Sequence, residues 1–500
     1  MSTRPLKTNF VFNLLSPAAR ILVALATIPI YIHHLGEARY GVLQIAWILL
    51  GYFGFLDLGL SRASINALAK LRAAPQADRA RVLLTTVMLS LGFGLTGAAL
   101  LFAVGEYLFL YVLSVPADLK QEISRSFPWM VGLFPMTLVS GVASGALESR
   151  ERFLLVNSLQ ILTTSLSQIA PVIVAVFVSP SLTVVMPAVA IMQAASMILT
   201  GVCVYRLEGP FSFRAFDWSE ARTLLHYGGW VTVTSVIYPI LIAADQFLIG
   251  TLLGVAQVAH YAVPMNLITR TMTFPAALGR TFFPRLSTLP REAAHELAAR
   301  ALKTLGYSYG AMCAPAIILA PTFFRFWIGP DFALVSGPVA QILFLGAWVN
   351  GLSFVAYTLI QSQGRPDLTG KLHFLEVAPF LGVLWVLTTT FGIQGAAVAW
   401  TLRNVVDAFL MFWAAGISRR DVASAVARPA ALLCCCGIAS PFVGSSPALA
   451  VPAAALAGLI AVGLAYVYSD DFRRIMSAQL IRARNLGEGL IRRAKSAQSA

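Results

Sequence analysis

Apolar runs long enough to cross a bilayer recur from Phe10 almost to Tyr468, and nothing between them leaves room for a soluble domain. A backbone in hydrocarbon must satisfy its own hydrogen bonds, so runs of this length become helices. A transmembrane barrel is excluded, because barrel strands alternate apolar and polar residues in segments of about 10. Composition agrees. The chain is 58% hydrophobic and 12% charged, about half the charged share of a soluble protein.

Spans of about 20 residues fall at 10–32, 41–67, 83–113, 126–147, 153–178, 182–204, 223–249, 257–283, 302–327, 335–360, 372–391, 394–415, 429–445 and 448–468. The expected fold is an all-α integral membrane protein of about 14 transmembrane helices. The first run, "FVFNLLSPAARILVALATIPIYI", is too long for a signal-peptide core and precedes no small-residue cleavage site, so it reads as a span that stays in place. The five cysteines all sit in apolar runs, without metal-binding spacing. No GxSxG, P-loop or HExxH pattern marks bond-making chemistry, so the chain does not read as an enzyme.

Positive charge orients the helices. With the N-terminus inside, 27 of the 36 Lys and Arg residues fall in cytoplasmic segments and three (Arg39, Lys120, Arg125) in outer ones. The other six (Arg20, Arg62, Arg270, Arg280, Arg325, Arg403) lie within spans. Both termini are then cytoplasmic, and the net charge of +14 orients the chain in the membrane and signals no nucleic-acid partner. The outer loops are short ("SP", "FGIQG", "GSSP"), too short for an external catalytic domain.

The chain also repeats itself. "ALESRERFLLVNSLQ" (146–160) aligns with "LIQSQGRPDLTGKLH" (359–373), Ser149 over Ser362 and Arg152 over Arg365. "PAVAIMQAASMI" (187–198) matches "AAVAWTLRNVVD" (396–407), and "LGEARYGV" (35–42) matches "LGVAQVAHYAV" (253–263). The expected organisation is a six-helix lobe at 1–204, a cytoplasmic linker at 205–222, a second six-helix lobe at 223–416, an added helix pair at 429–468 and a basic tail at 469–500. Two parallel repeats would form pseudo-symmetric lobes around a central cavity. The tail fits an amphipathic segment on anionic lipid and equally a solvated end.

Charges inside spans carry the functional question, since an arginine at a bilayer centre costs roughly 2.5–3.5 kcal/mol on insertion scales. Asp57 and Arg62 in "YFGFLDLGLSRASINALAKL" stand about 140° apart on a straight helix, and Gly54 and Gly59 offer a bend. Arg62 suits either snorkelling to the inner interface or the mouth of a cavity. Arg270 and Arg280, on one expected span, stand about 15 Å apart in height, with Thr273 and Ala277 between and Thr281 next to Arg280. Arg20 has no acid within reach on its own helix. Arg20 and Arg270 come from the two halves of the repeat. If they face each other they make a cationic cavity for an anion such as a phosphate, whose shape suits the arginine fork; interhelical bonding is the other reading. Arg403 and Asp407, four apart, are expected to neutralise each other, and Arg325 to snorkel at an outer end. Asp245 and Glu376 have no close partner in sequence, and Asp57 and Asp245 are the candidates for coupling to H+ or Na+. His226, His260 and His373 read as interfacial. Asn66, Gln160, Gln168 and Asn266 fit sugar hydroxyls as well as helix–helix contacts.

The residues "LGEARYGV", "FLDLGLSRA", "SQGRPDLTGK" and "FGIQGAAVAWTLRN" resemble bacterial polysaccharide flippases of the O-antigen and exopolysaccharide type, within the multidrug/oligosaccharidyl-lipid/polysaccharide exporter superfamily. The resemblance covers about residues 8–415. It implies two six-helix lobes in a V, an inner-membrane location and export of undecaprenyl-diphosphate-linked oligosaccharide by alternating access. It also implies cavity cations on the diphosphate, best matched by Arg20 and Arg270, with Arg62 and Arg280 behind them. Expected partners are that lipid-linked oligosaccharide, membrane lipid and a polysaccharide polymerase; no cofactor is expected beyond a coupling ion. Two alternatives compete. A drug/cation antiporter of the same superfamily should have an acid-rich cavity, whereas these charges lean basic. A membrane polymerase or ligase should need a large outer loop.

Overall fold

The structure, a computed structural model, describes residues 6–52, 57–71, 74–150, 152–209, 216–225, 237–444, 446–474 and 476–477. Side chains at 6–20, 52, 153, 237–242 and 366 lie outside that description. So do Gly54, His226, the Arg20 side chain and most of the tail.

The described residues form helices and no strands: α1 Leu6–Leu35, α2 Glu37–Tyr52, α3 Leu60–Lys70, α4 Gln76–Tyr107, α5 Ala117–Ser149, α6 Phe153–Phe177, α7 Leu182–Glu208, α8 Ile237–Leu252, α9 Val255–Thr271, α10 Thr273–Thr288, α11 Arg291–Trp327, α12 Pro330–Ser362, α13 Pro366–Ala415, α14 Arg419–Val443 and α15 Pro447–Tyr468. Nine of the described helices are long and apolar enough to cross a membrane. The chain is a multi-pass helical membrane protein.

α13 is two spans in one. Glu376 and Arg403 lie 27 residues apart, about 40 Å along a straight helix, yet their side chains approach to 3.4 Å. The fold-back is at Gly392, whose φ of 62° and ψ of −146° are non-helical and favour glycine. The expected separate spans at 372–391 and 394–415 are these two limbs.

Two other expected spans are broken. The one at 41–67 divides into α2 and α3, with left-handed backbone at Leu58 and Gly59 (φ 48° and 68°) just before α3. The one at 257–283 divides at Met272 into α9 and α10, so Arg270 and Arg280 do not share a helix. Each break lets a short helix turn its polar face independently of the apolar helix before it.

Packing divides the chain into two compact units, Met1–Val263 and Pro264–Ala500. The division falls inside α9, beyond the linker at 205–222 expected from the repeat. α8 and the start of α9 are tied into the first unit. Ser114 donates its N–H to the Gly250 carbonyl (3.0 Å), and Val255 donates to the Ser114 carbonyl (3.2 Å). At Gly41 a side chain would run into the Val255 carbonyl, only 1.7 Å from an added Cβ.

The order of elements nevertheless recurs. α1 to α7 are matched in turn by α8 to α12 and the two limbs of α13. The repeated "LG" places Gly36 (φ 81°) between α1 and α2 and Gly254 (φ 96°) between α8 and α9. α3 packs on α4 and α5, as α10 packs on α11 and α12. After the repeat, α14 and α15 pack on α11. α15 buries Ala450, Ala454, Ala457, Ala461 and Ala465, small residues that let helices approach where hydrocarbon supplies no hydrophobic drive.

Candidate functional site

The short helices α3 and α10 carry the polar faces. α3 buries Leu60, Ala63, Ser64 and Leu68 and seats Ile65 against Gly145 of α5, where an added Cβ would stand 2.8 Å from it. Its other side exposes Arg62, Asn66 and Lys70, spaced four apart and so in one stripe. α10 buries Pro275 and Leu286, and Gly279 lets it lie close to Thr358 of α12. Its exposed side holds Thr273, Ala277, Arg280 and Thr281, the grouping read from sequence. Neither Arg62 nor Arg280 makes a hydrogen bond or ion pair among the described residues. An arginine so placed in an apolar chain needs water or an anion.

The remaining candidates are dispersed. Arg270 is half-buried in the last turn of α9 and has a partner of its own. Asn266, one turn earlier, is half-buried and partnered, and its carbonyl accepts the Thr269 hydroxyl at 3.2 Å. Gln160 and Gln168 are half-buried on α6. The Gln168 carbonyl accepts the Tyr31 hydroxyl (3.1 Å), while its buried side-chain oxygen has no hydrogen bond. Arg20 lies on α1.

Asp57 accepts the Ser61 N–H and hydroxyl, each at 3.1 Å. It thus satisfies an amide at the start of α3, which has no intrahelical partner. Asp245 is fully buried on α8 and accepts the Tyr261 hydroxyl at 2.6 Å, a partner 16 residues away that only the α8–α9 turn brings near.

The expected pairing of Arg403 with Asp407 is replaced by pairing across the fold-back. Arg403 faces Glu376 at 3.4 Å, and His373 Nε2 lies 3.3 Å from Asp407. Lys371, near the start of the first limb, pairs with Asp367 at 3.0 Å. Four-residue spacing made the first pairing plausible, but the second limb aims both side chains at the first limb.

Sequence reasoning missed a joint at the ends of α4, α5 and α7. Arg79 donates to both Glu208 carboxylate oxygens (2.8 and 2.6 Å), and Arg150 donates to the same two (2.8 and 2.9 Å). Arg79 is 1% exposed and Glu208 2%, so these are desolvated charges, fully paired. Arg79 also donates to the Leu68 carbonyl and Ser149 hydroxyl. The Glu208 bonds hold the Arg150 guanidinium above its ordinary value. Counted as topogenic charge, Arg79 and Arg150 gave no sign of this role; Glu208, one residue before the helix-ending Gly209, was the available signal. A second missed pair is Glu37 with His260, at 3.0 Å; the bond from His260 holds the Glu37 carboxyl below its usual range.

Broken spans and glycine-linked repeats of many apolar helices define the fold. Solved structures share it. A lipid II flippase MurJ in an inward closed conformation superposes with a TM-score of 0.72 at 13% identity, covering 91% of this chain and 99% of that one. An inward-facing multidrug-resistance MATE transporter gives 0.67 at 15% identity, covering 83% and 98%. The chain belongs to the polysaccharide biosynthesis protein family, whose profile matches residues 6–289. A Shigella flexneri protein, provisionally named an O-antigen transporter, is 28% identical over 409 residues, 81% of this chain and 96% of that one.

Proposed function

We propose that the protein carries an undecaprenyl-diphosphate-linked oligosaccharide, an O-antigen or exopolysaccharide repeat unit, from the cytoplasmic to the periplasmic leaflet of the bacterial inner membrane by alternating access. The observation that carries this reading is the pair of exposed arginines, Arg62 on α3 and Arg280 on α10, on corresponding short helices of the repeat. Both sit on short helices freed by a broken span, and each carries charge in a chain that otherwise avoids it.

The chemistry of the cargo suits them. A lipid diphosphate keeps its negative charge at neutral pH and needs fixed cations to leave the headgroup region. Arg62 and Arg280, with Arg20 and Arg270, supply forked donors for phosphate oxygens. Asn66, Gln160, Gln168 and Asn266 supply amides for sugar hydroxyls. The family membership and the provisional name of the Shigella relative support the cargo; the positive-charge bias supports cytoplasmic termini. A polysaccharide polymerase would then receive the exported unit, and this chain breaks no bond.

Replacing Arg62 and Arg280 singly by Gln tests the reading in vesicles holding purified protein and lipid-linked oligosaccharide. Transport should fall about tenfold or more for each, the cost of one lost charge-assisted contact of roughly 1.5–3 kcal/mol. Full transport by both variants, correctly inserted, would overturn it.

A further inference from the structure

We propose that His373, Glu376, Arg403 and Asp407, gathered by the fold-back of α13, form a binding site for a single proton. The site is built. His373 and Glu376 stand seven and ten residues beyond Pro366, about 10 and 15 Å into the helix, and Arg403 and Asp407 meet them from the returning limb. Glu376 and Asp407 are each 5% exposed. Both Glu376 oxygens and Asp407 Oδ1 make no hydrogen bond, although buried carboxylates are normally satisfied. The Arg403–Glu376 ion pair at 3.4 Å compensates one charge, and the His373–Asp407 contact at 3.3 Å pairs charge only with a protonated ring; both leave those lone pairs available.

The charges do not balance without a proton. Two carboxylates and one guanidinium, with a neutral imidazole, leave a net charge of −1, and one proton brings the cluster to zero. The acceptor is a carboxylate, since both Glu376 oxygens and Asp407 Oδ1 are buried without a hydrogen bond. In a low dielectric an uncompensated buried charge is costly, so each change in the surroundings of the cluster favours gain or loss of that proton.

Neighbouring elements leave the balance alone. α12 has no charged residue between Asp331 and Ser362, and meets the second limb through Asn350, which donates to Asn404 at 2.6 Å. The Phe380 ring lies under Arg403 at 5.6 Å. Nearer the start of the first limb, Lys371 is occupied by Asp367. From α11, His295 approaches the second limb at Ala415, eight residues or about 12 Å beyond Asp407. Arg403 and His373 already stand against the carboxylates, an arrangement that suits a proton better than a metal cation. The repeat alignment puts Gln160, Thr163, Ala194 and Ile198 at the matching places on α6 and α7, so the first half has no counterpart.

Proton binding stands apart from the transport reading; only a role in driving transport rests on it. The test uses the full chain in lipid vesicles. Infrared difference spectra should show a protonated-carboxyl band that titrates between about pH 5 and 8, where ordinary carboxylates are already ionised. Glu376→Gln with Asp407→Asn should remove the band. With lipid-linked oligosaccharide present, a pH difference of one unit should change accumulation about tenfold for one coupled proton, and the double variant should lose that response. A wild-type protein without such a band overturns the proposal with no variant needed, as does a double variant that retains the band. A band that titrates and is lost as expected, with no oligosaccharide movement under any gradient, upholds the proton site and sinks the flippase reading.

Discussion

The two halves close the same joint with different chemistry. In the first, the residue before the glycine that ends α7 is Glu208, and it binds Arg79, four residues after Pro75, and Arg150, the residue after Ser149. In the second, the residue before the glycine that ends α13 is Ala415, the fourth residue after Pro290 is Ala294, and the residue after Ser362 is Gln363. All three charges are replaced by neutral groups together. The joint is held there by His295 Nε2 at 2.9 Å from the Ala415 carbonyl. The helix-ending glycines keep the same positive φ (82° at Gly209, 67° at Gly416). A positive φ at the closing glycine is thus what recurs, while ψ differs (−171° at Gly209, 26° at Gly416); the charged triad is one of two ways to secure the joint. Inside the helices the asymmetry reverses, with the ionisable cluster on α13 and neutral residues at the matching places on α6 and α7.

The largest effect should come from removing one member of the triad. Glu208→Ala strands Arg79 in a nearly dry site and should lower stability by about 3–5 kcal/mol, read as a lower midpoint of thermal unfolding in detergent. Importing the second half's solution should restore most of that loss. The triple variant Arg79→Ala, Glu208→Ala, Arg150→Gln should lie within about 2 kcal/mol of the parent, because neutral replacements of buried ion networks are often tolerated. A triple variant as unstable as Glu208→Ala would show that the two joints are not alternatives.

On the other side of the comparison, His295→Ala loses the contacts to the Ala415 and Arg291 carbonyls, of which a neutral ring donates to one at a time, and should cost only about 0.5–1.5 kcal/mol. The smallest effect concerns Glu37. Its carboxyl is lowered by His260, so its contribution is present above the ordinary carboxylate value and fades as pH falls through the lowered one. Glu37→Gln should flatten that part of the acid limb of the stability–pH curve and leave neutral pH little changed. An unchanged acid limb would remove this pair from the account.

Much of the fold was legible because hydrocarbon imposes long apolar runs and the repeat left matched glycines. "LGEARYGV" and "LGVAQVAHYAV" both mark real helix junctions, at Gly36 and Gly254. The charges were harder to read. Arg403 and Asp407 share a face by spacing, but both turn to a limb that only the Gly392 fold-back brings near. Asp57 looked like an intramembrane acid and proves to accept the Ser61 amide, because the span breaks before α3. Arg79 and Glu208 lie 129 residues apart, beyond any local pattern. The exposed face of α10 was visible in advance, since Thr273, Ala277, Arg280 and Thr281 follow helical spacing on one uninterrupted helix.

The most direct measurement of the central claim is the leaflet distribution of lipid-linked glycan in cells lacking this protein. The account predicts complete oligosaccharide-lipid accumulating on the cytoplasmic face, with surface polysaccharide lost. Normal glycan in both leaflets, accompanied by altered resistance to cationic compounds, would contradict it and favour an ion-coupled drug antiporter.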